Sequence, residues 1–240
     1  MTNKPNIVLV HGAWADGSCW TKVIPALKQA GYNVVATQHS LNSLADDAET
    51  TRRMAEAQDG PTILVGHSYG GAVITEAAHL CPNVIGLVYI AAFAPDAGES
   101  LVSLGASAPP PPGAVAVRPD KYGMLWLDKD LFAGNFCQDV DAAEALVMAA
   151  TQQPIAVKCF EDKITNAGWR NLPCWYQVST EDRMIPPLAQ QFMSQRISAT
   201  TISLATSHTP FISKPEEISA FILLAANEVV TTKTTAPTLQ

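Results

Sequence analysis

The 240-residue sequence predicts an α/β fold in which a six-stranded, mostly parallel sheet is flanked by helices. Short apolar segments rich in Val, Ile and Leu alternate along the chain with longer segments of helical periodicity. This alternation requires crossover connections, which join parallel strands and place helices on both faces of a sheet. Hydrophobic residues make up 48% of the chain and charged residues 15%, a composition typical of a folded globular protein.

The six segments predicted as buried strands are 7–10, 33–37, 62–66, 84–90, 175–179 and 200–204. The segments predicted as helices are 18–30, 44–58, 70–80, 186–196 and 214–229. A ligand binds such a sheet in the crevice at the carboxyl ends of its strands. Residues that directly follow strands are therefore the candidates for chemistry.

One interval interrupts the alternation of strands and helices. About eighty residues separate the fourth predicted strand from the fifth, far more than an ordinary connection. They include four consecutive prolines at 109–112, which predict an extended loop, and a helical stretch at 139–151. We predict a core formed by residues 1–94 and 171–230, a cap or lid at 95–170, and a disordered tail at 231–240.

Charge and cysteine usage exclude several classes of function. The net charge is −7 and no run of Lys or Arg stands out, so we expect no nucleic-acid partner. The five cysteines include no CxxC pair, which predicts reduced thiols, a cytoplasmic location and no metal site. The first apolar run spans only residues 7–10, too short for a signal peptide or a membrane span. A homodimer is left open.

The most informative stretch is Gly66-His67-Ser68-Tyr69-Gly70, a G-x-S-x-G motif between a predicted strand and a predicted helix. A serine at so sharp a turn adopts strained backbone geometry, and the glycines leave room for that turn. The helix N-terminus beyond the serine favours negative charge that develops during a reaction. Ser68 is therefore the predicted nucleophile.

A serine nucleophile requires a base. The chain has five histidines: His11, His39, His67, His79 and His208. His208 follows the last predicted strand and leads into the final helix, so it is the predicted base. His39 also follows a strand and is left open by position alone. The other three are predicted to have structural roles, with His11 bracing the loop after the first strand.

The acid that orients the base should follow the penultimate strand, where Asp182 lies. Asp96, which follows the strand ending near Ile90, is the alternative. After the first strand, Gly12 lets the backbone approach a substrate oxygen closely. The backbone N–H groups of Ala13 and Tyr69 are the predicted oxyanion hole.

These motifs resemble the α/β-hydrolase superfamily, in which the chain order is nucleophile, acid, histidine. They are most similar to a compact branch that holds plant methyl esterases, hydroxynitrile lyases and bacterial pyrethroid-hydrolase-like esterases. The resemblance extends to about Val229. It implies cofactor-free ester hydrolysis through an acyl-enzyme, and a sheet of six parallel strands without the antiparallel hairpin of larger members. The segments that carry it are His11-Gly12-Ala13-Trp14, Gly66 to Gly71, the Asp182 loop and Ser207-His208.

Two departures bear on the reaction. The lyases carry threonine after the first histidine and lysine after the catalytic one, whereas this chain has Gly12 and Thr209. Cyanohydrin cleavage is therefore disfavoured, although a cofactor-free lyase or C–C-bond hydrolase stays the alternative enzyme class. A non-catalytic small-molecule receptor is the third hypothesis. Lactone and thioester hydrolysis are closely related acyl chemistry, and perhydrolase-type relatives share the triad.

The predicted partner is a small-molecule ester, and the apolar content of the cap predicts an apolar acyl or alcohol group. Trp126 and Trp169 are equally compatible with packing the cap onto the sheet. The predicted substrate-binding residues are Gly12, Trp14, Tyr69, Trp126, Trp169 and Phe211.

Overall fold

The structure is a computed structural model that describes residues 4–106 and 109–234. Up to residue 90 the chain alternates strands and helices as predicted. The elements are β1 (Asn6–Val10), a 3-10 helix (Gly17–Trp20), α1 (Ile24–Gln29), β2 (Val34–Ala36), α2 (Leu44–Glu56), β3 (Thr62–His67), α3 (Tyr69–Ala78) and β4 (Val84–Ile90).

The single helix predicted over 18–30 is wrong in one respect, because the chain forms a 3-10 helix and then α1. Asp16 caps the 3-10 helix by accepting a hydrogen bond from the backbone N–H of Ser18. Pro25, at the start of α1, has no N–H to donate to the preceding turn. A continuous helix through this position would lose that hydrogen bond, so the chain restarts there.

The segment between β4 and the next strand of the main sheet has its own secondary structure. The helix predicted at 139–151 starts at Ala142, where the Asp141 side chain caps it. A three-stranded antiparallel sheet, which the sequence analysis did not predict, is also present. The elements are α4 (Leu101–Gly105), a 3-10 helix (Pro112–Ala116), β5 (Val117–Pro119), β6 (Met124–Leu127), α5 (Lys129–Phe136), α6 (Ala142–Thr151), β7 (Ile155–Ala156), α7 (Val157–Glu161) and a 3-10 helix (Gly168–Arg170).

The last part of the chain returns to the main sheet. Its elements are β8 (Cys174–Ser179), α8 (Pro187–Arg196), β9 (Thr200–Leu204), α9 (Pro210–Ser213) and α10 (Pro215–Thr234). Residues 231–234 are helical, so they do not belong to the predicted disordered tail, and residues 235–240 of that prediction lie outside the described residues. No helix among the residues described has both the length and the apolarity to cross a membrane.

The main sheet has the strand order β2-β1-β3-β4-β8-β9, and every neighbouring pair is parallel. This confirms the predicted fold class. The chain leaves β1 toward one edge of the sheet and returns through β3 toward the other, which creates a topological switch point between these strands. Val10 pairs with Gly66 at their carboxyl ends. The loops that follow β1 and β3 therefore lie side by side, where such sheets bind ligands.

Hydrophobic cores cover both faces of this sheet. Ile7 and Ile63 pack in a cluster with residues of α1 and α10, whereas Val8 and Leu64 pack with residues of α2 and α3. This alternation follows from the two-residue period of a strand. Because both faces are covered, the central strands β1, β3 and β4 are fully buried and largely apolar, which is the pattern that predicted the parallel sheet. The edge strand β9 was also predicted as buried, but its residues are exposed or only partly buried.

Candidate active site

Ser68 occupies the turn between β3 and α3 with φ 54° and ψ −123°, a left-handed geometry that costs a non-glycine residue energy. Its carbonyl oxygen accepts hydrogen bonds from the N–H groups of Gly71 and Phe93, both at 3.0 Å. A Cβ on Gly70 would lie 2.6 Å from the carbonyl oxygen of Val10, so only glycine allows α3 to start this close to β1. The surrounding backbone thus fixes the strained turn.

His208 and Asp182 converge on this serine. His208 Nε2 lies 2.8 Å from Ser68 Oγ, and His208 Nδ1 lies 2.7 Å from Asp182 Oδ2. All three side chains are almost fully buried. The other carboxylate oxygen of Asp182 accepts the N–H groups of Met184, at 2.7 Å, and Ile185, at 3.0 Å. The structure therefore brings together the nucleophile, base and acid that the sequence analysis selected.

Asp96, the alternative acid, lies elsewhere. Its carboxylate pairs with the guanidinium of Arg170 at 2.5 Å, and this hydrogen bond holds the pKa of Asp96 below its ordinary value. The only carboxylate that contacts His208 within the described part of the chain is that of Asp182.

The loop after β1 is held by a buried histidine. His11 Nε2 accepts the backbone N–H of His39 at 3.1 Å, so the proton of the neutral ring is on Nδ1. His11 Nδ1 donates it to the carbonyl oxygen of Gly12 at 2.9 Å. Burial lowers the pKa of His11, which favours this neutral form. The hydrogen bond fixes the Gly12 peptide that leads to Ala13.

The two backbone N–H groups predicted to form the oxyanion hole are available to a substrate. Among the described residues, the backbone N–H groups of Ala13 and Tyr69 have no hydrogen-bond acceptor. Ala13 lines the cavity that contains Ser68, and Tyr69 is the first residue of α3. Two unpaired donors beside a serine hydroxyl can receive a developing negative charge.

The remaining histidines have structural contacts. Burial and the neighbouring His208 hold the pKa of His67 well below its usual range, so His67 is neutral. Its Nε2 donates to the carbonyl oxygen of His208 at 2.7 Å and so holds the backbone of that loop. His39, which the sequence left open, contacts Thr51 Oγ1 at 2.9 Å. His79 contacts the Asn166 side chain at 3.1 Å.

Ser68 lies in a cavity of about 310 Å³ with an apolar wall. Ala13 and Trp14 from the loop after β1 form one part of this wall. The segment between β4 and β8 and the region around α8 contribute most of the rest, including Phe93, Leu101, Val102, Leu104, Val117, Phe160, Met184, Ile185, Phe192 and Met193. None of the described lining residues carries a charge, and no described group of His, Cys, Asp and Glu side chains is arranged to hold a metal ion.

Comparison with known proteins identifies the family. Residues 7–221 match the family model described as the alpha/beta hydrolase family. The chain belongs to this family. The predicted resemblance to α/β hydrolases of the methyl esterase and pyrethroid hydrolase kind is thereby confirmed.

Individual relatives of this α/β hydrolase include esterases of bacteria and plants. The carbendazim hydrolyzing esterase of Nocardioides sp. (strain SG-4G) is 41% identical over 119 residues, a match that spans 44% of this chain and about half, 49%, of that relative. Methylesterase 2 of Arabidopsis thaliana is 26% identical over 258 residues, or 93% of this chain and 97% of the relative. The crystal structure of a pyrethroid hydrolase from Sphingobium faniae JZ-2 shares the fold, with a TM-score of 0.82 and 24% identity over 93% of this chain and 97% of that one.

Five of the six predicted substrate-binding residues do not line the cavity of this hydrolase, and only Trp14 does. Gly12 packs behind Ser68, since a Cβ there would lie 2.7 Å from Ser68 Cβ. The Tyr69 hydroxyl points away and donates to Asp47 at 2.9 Å. Phe211 is buried against His67, with ring centroids 4.7 Å apart.

The two tryptophans of the inserted segment have similar structural roles. Trp169 Nε1 donates to the carbonyl oxygen of Pro95 at 2.9 Å, which ties the end of the segment to the loop that follows β4. Trp126 is 38% exposed and donates to Asp120 at 3.1 Å, away from Ser68. Aromatic residue type alone therefore predicted the wall poorly. Position would have been a better signal for Phe93, which follows β4, and for Met184 and Ile185, which follow Asp182.

Proposed function

We propose that this α/β hydrolase is a carboxylic-ester hydrolase that cleaves a small, largely apolar ester through an acyl-enzyme on Ser68. The observation that carries the proposal is the chain of two hydrogen bonds from Ser68 Oγ to His208 Nε2, at 2.8 Å, and from His208 Nδ1 to Asp182 Oδ2, at 2.7 Å. Ser68, at the start of these hydrogen bonds, lines an apolar cavity. Relatives of this protein that are named esterases point to the same chemistry.

In the proposed reaction, Ser68 Oγ attacks the ester carbonyl carbon while its proton moves to His208 Nε2. Asp182 holds the imidazole with its Nδ1–H directed at the carboxylate and stabilises the imidazolium. The N–H groups of Ala13 and Tyr69 stabilise the oxyanion. His208 then protonates the leaving alcohol, and water cleaves the acyl-enzyme in the reverse sequence of proton transfers. No cofactor enters this scheme.

We propose further that residues 95–170 act as the cap over this site. They contribute Leu101, Val102, Val117 and Phe160 to the cavity wall. Trp14 Nε1 donates to the carbonyl oxygen of Leu125 in β6 at 3.0 Å, which ties the segment to the loop after β1. Because the described lining is uncharged, burial of a charged substrate group would be costly there. Both the acyl and the alcohol parts of the substrate are therefore expected to be neutral.

The alternatives receive less support. A cyanide-releasing lyase needs a cation near the leaving group, and the described cavity wall contains none. A receptor does not need hydrogen bonds that join a nucleophile to a base and the base to an acid, yet both of these contacts are present here.

The proposal is tested with p-nitrophenyl esters from acetate to octanoate and with a fluorophosphonate probe. Wild type should hydrolyse the esters and bind the probe covalently, and Ser68→Ala should do neither. Ser18→Ala, at an exposed serine that does not line the cavity, is the matched control and should behave as wild type. Folded wild type that neither hydrolyses an ester nor reacts with the probe would reject the proposal.

A further inference from the structure

The carboxylate of Asp182 accepts four hydrogen bonds, and only one of them comes from His208. Its Oδ1 accepts the N–H groups of Met184 and Ile185. Its Oδ2 accepts His208 Nδ1 at 2.7 Å and Gln190 Nε2 at 2.8 Å. A carboxylate offers about four acceptor positions, so this one is fully used. The histidine and the glutamine therefore share the same oxygen.

The orientation of the Gln190 amide is fixed by its other contacts. Gln190 is fully buried in the first turns of α8. Its Oε1 accepts the backbone N–H of Ser179 at 2.9 Å, and its Nε2 also donates to the carbonyl oxygen of Ile185 at 2.8 Å. A flipped amide would set Nε2 against an N–H donor and Oε1 against two acceptors. The NH₂ group therefore faces Asp182.

We propose that Gln190 is a positioning residue that acts on His208 through Asp182, by donating to the carboxylate oxygen that His208 also uses. This inference rests on the proposed function, because it assigns His208 the role of base. Gln190 also joins the end of β8, through Ser179, to the turn that holds Asp182. It thus fixes both where the carboxylate lies and how much of its negative charge is available to the imidazole.

The effect on His208 has a definite sign. A hydrogen bond to a carboxylate disperses its charge and weakens its attraction for a neighbouring cation. Removal of the Gln190 donor should strengthen the attraction between Asp182 and the imidazolium of His208. His208 would then keep its proton to higher pH, and a protonated His208 cannot accept the proton of Ser68. The acid limb of the activity profile should therefore move to higher pH.

Other ionisable groups near the pair do not share this effect. His67 is kept neutral by burial, which lowers its pKa, and burial raises the pKa of Tyr176, so neither adds charge near neutral pH. Three further charged residues belong to the loops around Asp182 and His208. Asp139 accepts the N–H of Ser207 at 2.9 Å, Arg183 donates to the carbonyl oxygen of Gly134 at 2.7 Å, and Glu181 precedes Asp182 in the chain. None of them contacts Gln190 in the described structure.

The test compares Gln190→Met, which keeps the length of the side chain but removes its amide, with Gln191→Met, the same change at the exposed neighbouring position. Two quantities are measured: the pH dependence of kcat/KM for p-nitrophenyl butyrate, and the low-field proton NMR signal of His208 Nδ1–H in free enzyme. For Gln190→Met we expect the acid limb to move up by about half a pH unit or more and the NMR signal to shift. Gln191→Met should change neither.

A folded Gln190→Met protein with an unchanged acid limb and an unchanged NMR signal would overturn the proposal and leave Gln190 with a purely structural role. If that variant does not fold, Gln190→Leu decides instead. It also removes the donor to Asp182, so it should move the acid limb to higher pH, and an unchanged profile would reject the proposal. The NMR signal needs no substrate, so failure of ester hydrolysis itself would be recognised separately.

Discussion

The reacting groups of the cavity come from loops that leave the main sheet, whereas much of its apolar wall comes from the segment between β4 and β8. Ser68, Asp182 and His208 follow β3, β8 and β9, and hydrogen bonds of 2.7–2.8 Å fix their relative positions. The wall residues Val102 and Phe160 belong to the short helices α4 and α7 and contribute apolar area. Directional contacts define the first region, and burial defines the second.

This difference predicts how each region responds to substitution. A change at the loops that carry Ser68, Asp182 and His208 disturbs the two directional hydrogen bonds on which the reaction depends. The loss of activity should therefore be large and nearly independent of the ester. A change in the wall removes contact area, which contributes on the order of 25 cal/mol per Å² and depends on how far the substrate extends. Variants in the two regions should therefore differ both in magnitude and in substrate dependence.

After loss of the Ser68 nucleophile itself, the largest effect is expected for Asp182→Asn. The amide has only one oxygen, whereas the carboxylate uses one oxygen for the backbone N–H groups and the other for His208 Nδ1. An NH₂ group that faces His208 would favour the wrong imidazole tautomer, with its proton on Nε2. Loss of turnover by about 10⁴-fold is expected for such a change. The measurement is kcat for p-nitrophenyl butyrate at the pH optimum.

Asp96→Asn is the matched control for this variant, since it removes the other carboxylate that the sequence made a candidate. Its partner is the exposed guanidinium of Arg170, so turnover should change little. The comparison of the two variants is decisive: a loss with Asp96→Asn as large as that with Asp182→Asn would contradict the assignment of the acid.

Gly12→Ala should have the next largest effect. A Cβ at this position would lie 2.7 Å from Ser68 Cβ and 2.9 Å from the carbonyl oxygen of His67, so the loop that carries Ala13 must move. Displacement of one oxyanion donor is expected to lower kcat by about 10²–10³-fold. Gly134→Ala, where a Cβ would meet no atom within 4 Å, is the control and should keep normal kcat. Equal kcat values for the two variants would count against an oxyanion hole at Ala13.

The polar region, by which we mean the loops that carry Ser68, Asp182 and His208, could be predicted from the sequence because each loop follows a strand. In a parallel sheet the carboxyl ends of all strands meet at one edge, so local sequence and strand order are sufficient to group Ser68, Asp182 and His208. Pattern alone did not separate Asp182 from Asp96, since both follow strands. The difference lies in their partners, because Arg170 is provided by a distant part of the chain.

The wall could not be predicted in the same way. Trp126 and Trp169 are large and apolar, but their indole N–H groups bind Asp120 and the carbonyl oxygen of Pro95 on sides of the segment that do not face Ser68. Which side faces the cavity depends on the antiparallel sheet of β5, β6 and β7, whose strands are two to four residues long. Strands this short give little periodic signal in a sequence.

A smaller effect that depends on the substrate is expected at the mouth of the cavity. Phe192 lines the cavity and is 59% exposed, so it can contact the outer part of a long acyl chain. Phe192→Ser should lower kcat/KM for p-nitrophenyl octanoate by about 10-fold and for the acetate by less than about 2-fold. Leu146→Ser, which removes an exposed apolar residue outside the wall, should affect neither ester. A uniform loss across the series would show that Phe192 acts on the reacting groups instead.

The smallest effect on turnover, with a clear effect on stability, is expected for Asp47→Asn beneath the polar region. Asp47 is fully buried, and burial raises the pKa of its carboxyl to about 6, although hydrogen bonds from Tyr69 and Leu41 oppose the shift. The folded protein therefore binds this proton more tightly than the unfolded chain. Stability must fall as pH rises through the interval between the ordinary pKa and about 6, and the loss persists above it.

Asp47→Asn removes the ionisable carboxyl, and with it this pH dependence of stability, but keeps the hydrogen-bond contacts. The amide oxygen can accept the N–H of Leu41, and the amide NH₂ can donate to the Tyr69 hydroxyl. Measured by urea unfolding, the free energy of the variant relative to wild type should increase by about 2 kcal/mol between pH 4.5 and 7.5. Asp59→Asn, which makes the same change of charge at an exposed site, should show no such increase. If the difference in free energy of unfolding between Asp47→Asn and wild type were the same at pH 4.5 and pH 7.5, burial would not disfavour the Asp47 carboxylate. The ionised carboxylate beneath the catalytic loops would then not reduce the stability of the protein.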